Sequence, residues 1–464
     1  MRQPLLVGAR SFAEVHAYTW NEAEELLELK IPVALIDAFS GLTGVGTQLT
    51  LLLQNDWNVS GETFPSGARV AVDLARVIRQ GGQPDGAVSL VYMPKENESL
   101  AGLFGSFTAA GDAIYLNVIE DVKSRIRRVA PVADGSWEVT ALPLPGDGAA
   151  SLPMFADPYT DSFLLRYENF LTPPALYRVD EGQSLQLLSQ ERSEIDLSGY
   201  VTEQFFAQAS DGTSVPYFIT RAIDRKPDAS APVLMYAYGG FGIPMIQNYE
   251  LFYIGPTHRI WLEQGGVFVL ANPRGGGEYG PRWHQAAKRT TRQTVYDDIY
   301  AVAEDIIKRG FSAPGRFGFI GGSNGGLTAG VVATQRPDLF GAAISLVPLL
   351  DMERYHLLLS GASWMDEYGN PEDPVEGPAL LAYSPYHNLK PEVSYPEIFL
   401  LTSTRDDRVH PGHARKMAHK MQDMGHEVLF YEAREGGHAM AVDNEGRAFN
   451  AAMQAVYLMQ KLME

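Results

Sequence analysis

Apolar and polar positions follow two different rhythms along this chain. Up to about residue 195 the apolar residues come in short runs with a strand-like period, such as residues 48–53, 113–118 and 162–167. Alternate residues of a strand face the same side, so runs of this kind predict half-buried strands. Turn-rich segments separate them, for example Pro145-Gly146-Asp147-Gly148 and residues 157–161. Only residues 13–29 and 70–79 carry an ambiguous helical period. Many short strands at even spacing predict a propeller or a sandwich, although no strict repeat is visible. At roughly 40–50 residues per four-stranded blade, this part holds about four blades.

From about residue 196 the rhythm changes. Residues 202–209 and 215–220 read as two strands around a polar turn. Strands at 233–236, 267–270, 317–320, 342–347, 398–402 and 427–431 then alternate with helices. The clearest helices are 297–308, which is amphipathic, 327–333, which is apolar throughout, 413–424, and one from about residue 444. Such alternation predicts a doubly wound, mostly parallel α/β sheet with helices on both faces. The expected organisation is an all-β, propeller-like domain over residues 1–195 and an α/β domain over 196–464.

Composition narrows the function classes. The 464 residues suffice for two or three domains, and 45% hydrophobic with 20% charged is ordinary for a globular protein. A formal net charge of −19 argues against nucleic acid and anionic membranes as partners. With no cysteine, disulfides, thiolate metal sites and a cysteine nucleophile are excluded. Residues 1–7 do not read as a signal peptide, and no apolar run approaches the roughly 20 residues that span a bilayer. A cytoplasmic location is the expectation, and no cofactor or metal is called for.

The candidate chemistry sits in Gly321-Gly322-Ser323-Asn324-Gly325-Gly326, between the strand at 317–320 and the helix at 327–333. Strand, Gly-x-Ser-x-Gly, helix is the context of a nucleophile elbow. A serine on so sharp a turn sits near strained backbone angles, and glycines beside it let strand and helix approach. The helix N-terminus then aims free N–H groups at a developing oxyanion. A serine hydroxyl needs a base, and an acid to orient that base, and in this fold they follow in the order Ser, Asp or Glu, His. Asp406 and Asp407 lie just past the strand at 398–402, and the pattern alone does not separate them. Of the histidines that follow, His413 and His419 fall on a helix and His426 in a turn. His410 is too close behind the aspartates to be presented independently. His438, in Glu435-Gly436-Gly437-His438-Ala439, occupies a loop suited to a mobile base.

These residues resemble the prolyl oligopeptidase family of serine peptidases. Asn324 after the serine, Tyr236-Ala237-Tyr238-Gly239-Gly240-Phe241, Asn272-Pro273-Arg274-Gly275-Gly276-Gly277-Glu278-Tyr279-Gly280, Asp406-Asp407-Arg408-Val409 and Gly436-Gly437-His438 carry the likeness. It is specific over residues 196–464 and diffuse before them. It implies an α/β-hydrolase sheet preceded by a partial β-propeller. It further implies a Ser323, Asp406, His438 triad, with an oxyanion hole from the Tyr238 hydroxyl and the Asn324 backbone N–H. Arg408 is implied to grip a substrate carbonyl and Trp364 to stack on a proline ring. Phe241, Leu349, Tyr368 and Val409 complete an apolar pocket. The implied activity is hydrolysis of short peptides after proline through an acyl-enzyme. A related oligopeptidase of other primary specificity, or an inactive truncated scaffold, are the alternatives. Arg274 and Glu278 are expected to form a structural ion pair. Family members carry a longer N-terminal region and a larger propeller, so this chain is expected to be shortened at that end. Its oligomeric state is left open.

Overall fold

The computed structural model describes residues 5–11, 14–21, 23–32, 43–100, 106–153, 156–157, 159–180, 184–193, 195–251 and 253–464. Two compact units emerge. One comprises Met1–Arg192, Gly242–Asn248 and Gly277–Arg282; the other comprises Ser193–Phe241, Tyr249–Gly276 and Trp283–Glu464.

The first unit is built from antiparallel sheets. Leu5–Ser11, Glu14–Trp20 and Leu26–Glu28 form a three-stranded sheet. Thr43–Val45, Gln48–Leu52, Arg69–Asp73 and Val88–Tyr92 form a four-stranded one. A five-stranded sheet centres on Ala113–Glu120 and Lys123–Pro131, and the next runs Ala149–Ser151, Phe163–Asn169, Thr172–Val179, Leu185–Gln190. Both ambiguous segments resolve here. Residues 13–29 contain strands rather than a helix. Tyr18, Thr19 and Trp20 fit a pleated surface, and the Asn21 side chain closes the turn by accepting from Ala23 N and Glu25 N, each at 2.9 Å. Residues 70–79 are half strand and half helix. Asp73 ends Arg69–Asp73 and caps Leu74–Arg79 through Ala75 N and Arg76 N. Two segments from later in the chain pack within this unit: Ser99 Oγ donates to Gly277 O at 2.9 Å, and Glu278 Oε1 accepts from Met245 N at 3.0 Å.

The second unit holds one eight-stranded sheet. Its strands are β1 (Tyr200–Gln208), β2 (Ser214–Ala222), β3 (Val233–Tyr236), β4 (Val267–Ala271), β5 (Phe317–Gly322), β6 (Phe340–Leu346), β7 (Ile398–Ser403) and β8 (Val428–Ala433). The order across the sheet is β1-β2-β4-β3-β5-β6-β7-β8. β1 pairs with β2 and β2 with β4 antiparallel; every other pairing is parallel. The winding direction switches at β3, which has β4 on one side and β5 on the other. Ligands in open α/β sheets bind beyond the carboxyl ends of the strands at such a point.

β5 shows how the sheet is covered. Phe317 and Phe319 face a core shared with Ile299, Val332 and Val295, from helices Gln293–Lys308 and Asn324–Gln335. Gly318 faces the other way, where a Cβ would lie 2.7 Å from Leu462 and 3.0 Å from Leu458 of helix Asn444–Leu462. That helix packs with Thr257–Glu263, tied by Thr257 Oγ1 to Gln454 Oε1 at 2.7 Å. Among the described residues, no helix is long and apolar enough to cross a membrane.

His413, in helix Gly412–Asp423, is buried, and its Nδ1 accepts the N–H groups of Leu350 (3.3 Å) and Asp351 (3.1 Å). Burial disfavours its charged form and lowers its pKa from 6.5 to about 4. The unfolded chain therefore binds a proton that the folded chain refuses between those values. This contribution to stability is whole above 6.5 and is lost as pH falls toward 4. Urea unfolding at a series of pH values should show a flatter dependence in that window for His413→Gln than for the wild type.

Candidate active site

Ser323 follows β5 with φ 59° and ψ −116°, a strained setting for a residue with a side chain. Its neighbours explain how the turn closes. A Cβ on Gly321 would sit 2.2 Å from Gly325 O, and one on Gly325 would sit 3.0 Å from Ala237 O. The turn is fastened to the next strand by Ser323 N to Leu346 O at 2.9 Å. Helix Asn324–Gln335 starts immediately, so its first N–H groups lie beside the serine.

Asp406 and Asp407 follow β7 but differ in environment. Asp406 is buried and its Oδ2 lies 2.7 Å from His438 Nδ1; Asp407 is exposed. Asp406 Oδ1 accepts from Arg408 N and Val409 N, both at 2.9 Å, which fixes the carboxylate. His438 sits in the tight turn Gly437–Ala439 after β8, flanked by Gly436 at φ 101° and Met440 at φ 59°. Asn450 Nδ2 holds the turn through Met440 O at 3.1 Å. With Nδ1–H donated to Asp406, the lone pair of the ring is on Nε2. That Nε2 is buried and, among the described residues, has no hydrogen-bond partner.

Two tyrosines stand over the serine. Tyr238 follows β3 and its ring lies against the elbow, where a Cβ on Gly325 would sit 3.7 Å from its Cδ2. Burial, with Glu367 adding to it, raises its pKa to about 12, so it stays a protonated donor at neutral pH. The Tyr253 ring lies over the elbow, where a Cβ on Gly322 would meet its Cγ at 2.2 Å, and burial raises its pKa well above the usual phenol value. Its ring meets the His438 imidazole edge to face, 5.8 Å between centroids.

Asn324 is wholly engaged. Its Nδ2 donates to Tyr238 O at 2.6 Å, and its Oδ1 accepts from the Tyr368 hydroxyl at 2.9 Å and from Arg292 Nη2. Arg292 is fully buried and binds Glu367 Oε1 at 2.8 Å; the same oxygen accepts Phe241 N at 2.8 Å, and Glu367 Oε2 meets His284 Nε2 at 2.6 Å. Burial pushes the Glu367 pKa up, but His284, Arg292 and the Phe241 N–H outweigh it and the net shift is downward. Leu349, Trp364, Tyr368 and Val409 belong to one buried cluster against which Phe241 packs, its ring edge-on to Tyr368 at 5.6 Å. Arg408 is exposed, and among the described residues its guanidinium makes no ion pair.

Every triad, oxyanion and pocket residue expected at this site belongs to the second unit. Pattern reading missed Tyr253, Arg292, Glu367 and His284. Tyr253 lies in a segment without period, and Arg292 ends a basic run that reads as a solvated helix start. The expected Arg274–Glu278 ion pair does not form. Arg274 closes instead on Asp298, with Nη2 to Oδ1 at 2.6 Å, and on Asp211. Glu278 turns to the first unit, because the chain passes from one unit to the other between Gly276 and Gly277. Asp351, Glu353 and His387 have metal-like spacing, but the Lys416 ammonium already bonds Asp351.

Residues 256–463 match the model of the prolyl oligopeptidase family. The chain carries a prolyl oligopeptidase family domain. It is 40% identical over 450 residues to an uncharacterized peptidase of Sinorhizobium fredii, covering 97% of this chain and 60% of that protein. With a prolyl endopeptidase of Elizabethkingia meningoseptica it shares 37% identity over 305 residues, 65% of this chain and 42% of the relative. The fold matches a solved post-proline cleaving enzyme from Rickettsia typhi with a TM-score of 0.89 at 28% identity, covering 99% of this chain and 65% of that one. The likeness identifies the fold as a β-propeller region followed by an α/β hydrolase. The chain spans about three fifths of the length of the first of these relatives (60%).

Arg292 and Glu367 neutralise each other without solvent. Removing one partner of a buried pair strands the other, at a cost of about 3–5 kcal/mol. Arg292→Leu should lose stability on that scale in urea unfolding, and Arg292→Leu with Glu367→Leu should lose clearly less than the sum of the single changes.

Proposed function

We propose that this protein is a serine endopeptidase that cleaves short peptides on the carboxyl side of proline. Residues 196–464 would supply the catalytic domain and residues 1–195 a propeller-like companion. The observation that carries the reading is the buried His438–Asp406 couple, 2.7 Å apart, whose Nε2 has no partner among the described residues and whose ring meets Tyr253, which lies over Gly322 beside the strained Ser323.

In this reading His438 Nε2 takes the Ser323 proton as Oγ attacks the scissile carbonyl, and Asp406 holds the imidazole and balances its charge. The carbonyl oxygen becomes an oxyanion between the Tyr238 hydroxyl and the Asn324 N–H. Collapse expels the amine, which takes its proton from His438 Nε2. A water molecule then repeats the sequence on the acyl-enzyme and frees Ser323. Arg408, exposed and without an ion pair among the described residues, has donors to offer a substrate carbonyl. Trp364, Tyr368, Phe241, Leu349 and Val409 make an apolar wall without an acidic side chain of their own, which suits a proline ring better than a basic one. The names of the similar proteins agree with that preference.

The test is steady-state cleavage of short blocked peptides that differ only at the residue before the scissile bond. Proline should be preferred; equal rates across the series would remove the specificity, and no cleavage of any would remove the peptidase. Ser323→Ala should lose several orders of magnitude in kcat with its fold intact. His438→Ala should do the same, and the double variant should be little worse than either.

Tyr238→Phe should lower kcat far more than it raises KM, because the oxyanion exists only near the transition state. The scale for one such donor is about 2.7–4 kcal/mol, reduced by the N–H that remains. A rise in KM alone would make Tyr238 a binding residue.

A further inference from the structure

Tyr253 has no part in the steps above, yet its ring reaches the base. It meets the His438 imidazole edge to face, 5.8 Å between centroids and 88° between planes. The same ring closes over the elbow. A Cβ on Gly322 would lie 2.2 Å from its Cγ and 2.6 Å from each Cδ, and these are the three nearest atoms it would meet. Gly322 does not have a positive φ, so its backbone would accept a side chain. What bars one is the Tyr253 ring, which fills that space from a distant part of the chain.

The segment that carries the ring has its own anchors. Leu251 and Ile254 are buried, and Leu251 bridges to Gly255. Arg259 Nη1 donates to Tyr249 O at 2.6 Å, and its guanidinium lies 4.2 Å from the centre of the Tyr249 ring. Tyr253 is thus presented to the elbow by a strap that the elbow does not itself hold.

His438 gains a wall from this. Its turn, Gly437–Ala439, lies between Gly436 at φ 101° and Met440 at φ 59°, and its imidazole is tied at one corner, Nδ1 to Asp406 Oδ2 at 2.7 Å. A hydrogen bond at one corner fixes a distance but lets the ring tilt about it, and tilting moves the far corner, Nε2, the most. An aromatic partner edge to face, within the roughly 4.5–7 Å of favourable ring pairs, blocks that tilt on its side.

We propose that Tyr253 is a positioning residue whose ring, seated in the space left by Gly322, holds the His438 imidazole in the orientation that takes the Ser323 proton. The proposal rests on His438 being the base of the reaction proposed above. The ring acts by contact, and the phenol hydroxyl has no share in it.

Two measurements separate the base from the pocket. Labelling by a small fluorophosphonate reads how well Ser323 is activated, and steady-state cleavage of a blocked proline peptide reads activation and binding together. Tyr253→Leu removes the ring and should lose about a hundredfold in labelling rate and in kcat, the scale for a reacting group displaced by about 1 Å, with KM unchanged. Tyr253→Phe keeps the ring and should restore most of that loss. Gly322→Ala pushes the ring aside, so it should lose as much alone and little more when added to Tyr253→Leu, because both changes remove one contact. A merely structural role would lower Tm without this split between kcat and KM. Should Tyr253→Leu fold poorly, Gly322→Ala with Tyr253 in place carries the same expectation. Unchanged labelling and kcat in Tyr253→Leu and Gly322→Ala overturn the positioning role and leave the peptidase reading intact. So does a Tyr253→Phe as impaired as Tyr253→Leu, or losses in the two single variants that multiply in the double. A wild type that is not labelled removes both readings.

Discussion

The close approach of strand and helix at the elbow is the constraint on which this unit depends. With no side chain at Gly321, the backbone of β5 can come against Gly325, and Gly325 in turn against the end of β3. Ser323 is left with a left-handed φ that only surrounding structure can enforce. The enforcement is visible: the serine N–H is held by β6, and the asparagine after it is bonded on three sides. Strain at one residue is thus distributed over three strands and two helices.

The sheet then does the rest of the positioning. The order reverses at β3, so the ends of β3 and β5 lie side by side, and Tyr238 and Ser323 leave them as neighbours. β7 and β8 pair in parallel and deliver Asp406 and His438 to the same edge, 2.7 Å apart across 32 residues of chain. Each of these four candidate side chains sits past a strand end. The carboxyl edge of a parallel sheet is where loops can differ without disturbing the hydrogen bonds that hold it.

Much of this was legible in residue order, and the exceptions have physical reasons. Strands such as Val233–Tyr236 and Phe317–Gly322 are buried on both faces and read as unbroken apolar runs. The elbow was legible because its glycines are a local requirement. Residues 13–29 stayed ambiguous because their apolar spacing fits two periods, and the turn at Asn21 decides between them. Asp406 and Asp407 are adjacent, and only burial against His438 tells them apart. Arg274, Arg292, Glu367 and Tyr253 depend on partners dozens of residues away, so their local sequence carried no signal. The pairing of Arg274 with Glu278 looked natural at four residues' distance, and the passage of the chain between units at Gly277 undid it.

One side chain joins two things usually discussed apart. Asn324 binds the Tyr368 hydroxyl with one end and the Tyr238 backbone with the other, while Arg292 and Glu367 brace that arrangement and reach Phe241. The apolar wall and the strand end that presents the phenol are therefore one block. A change of side-chain preference made by trimming Tyr368 would leave Asn324 Oδ1 a donor short and loosen the strand end beyond it. Under the function proposed above, selectivity and turnover would move together, so a lineage acquiring a new preference at this wall would need compensating changes at Arg292 or Glu367 in the same step.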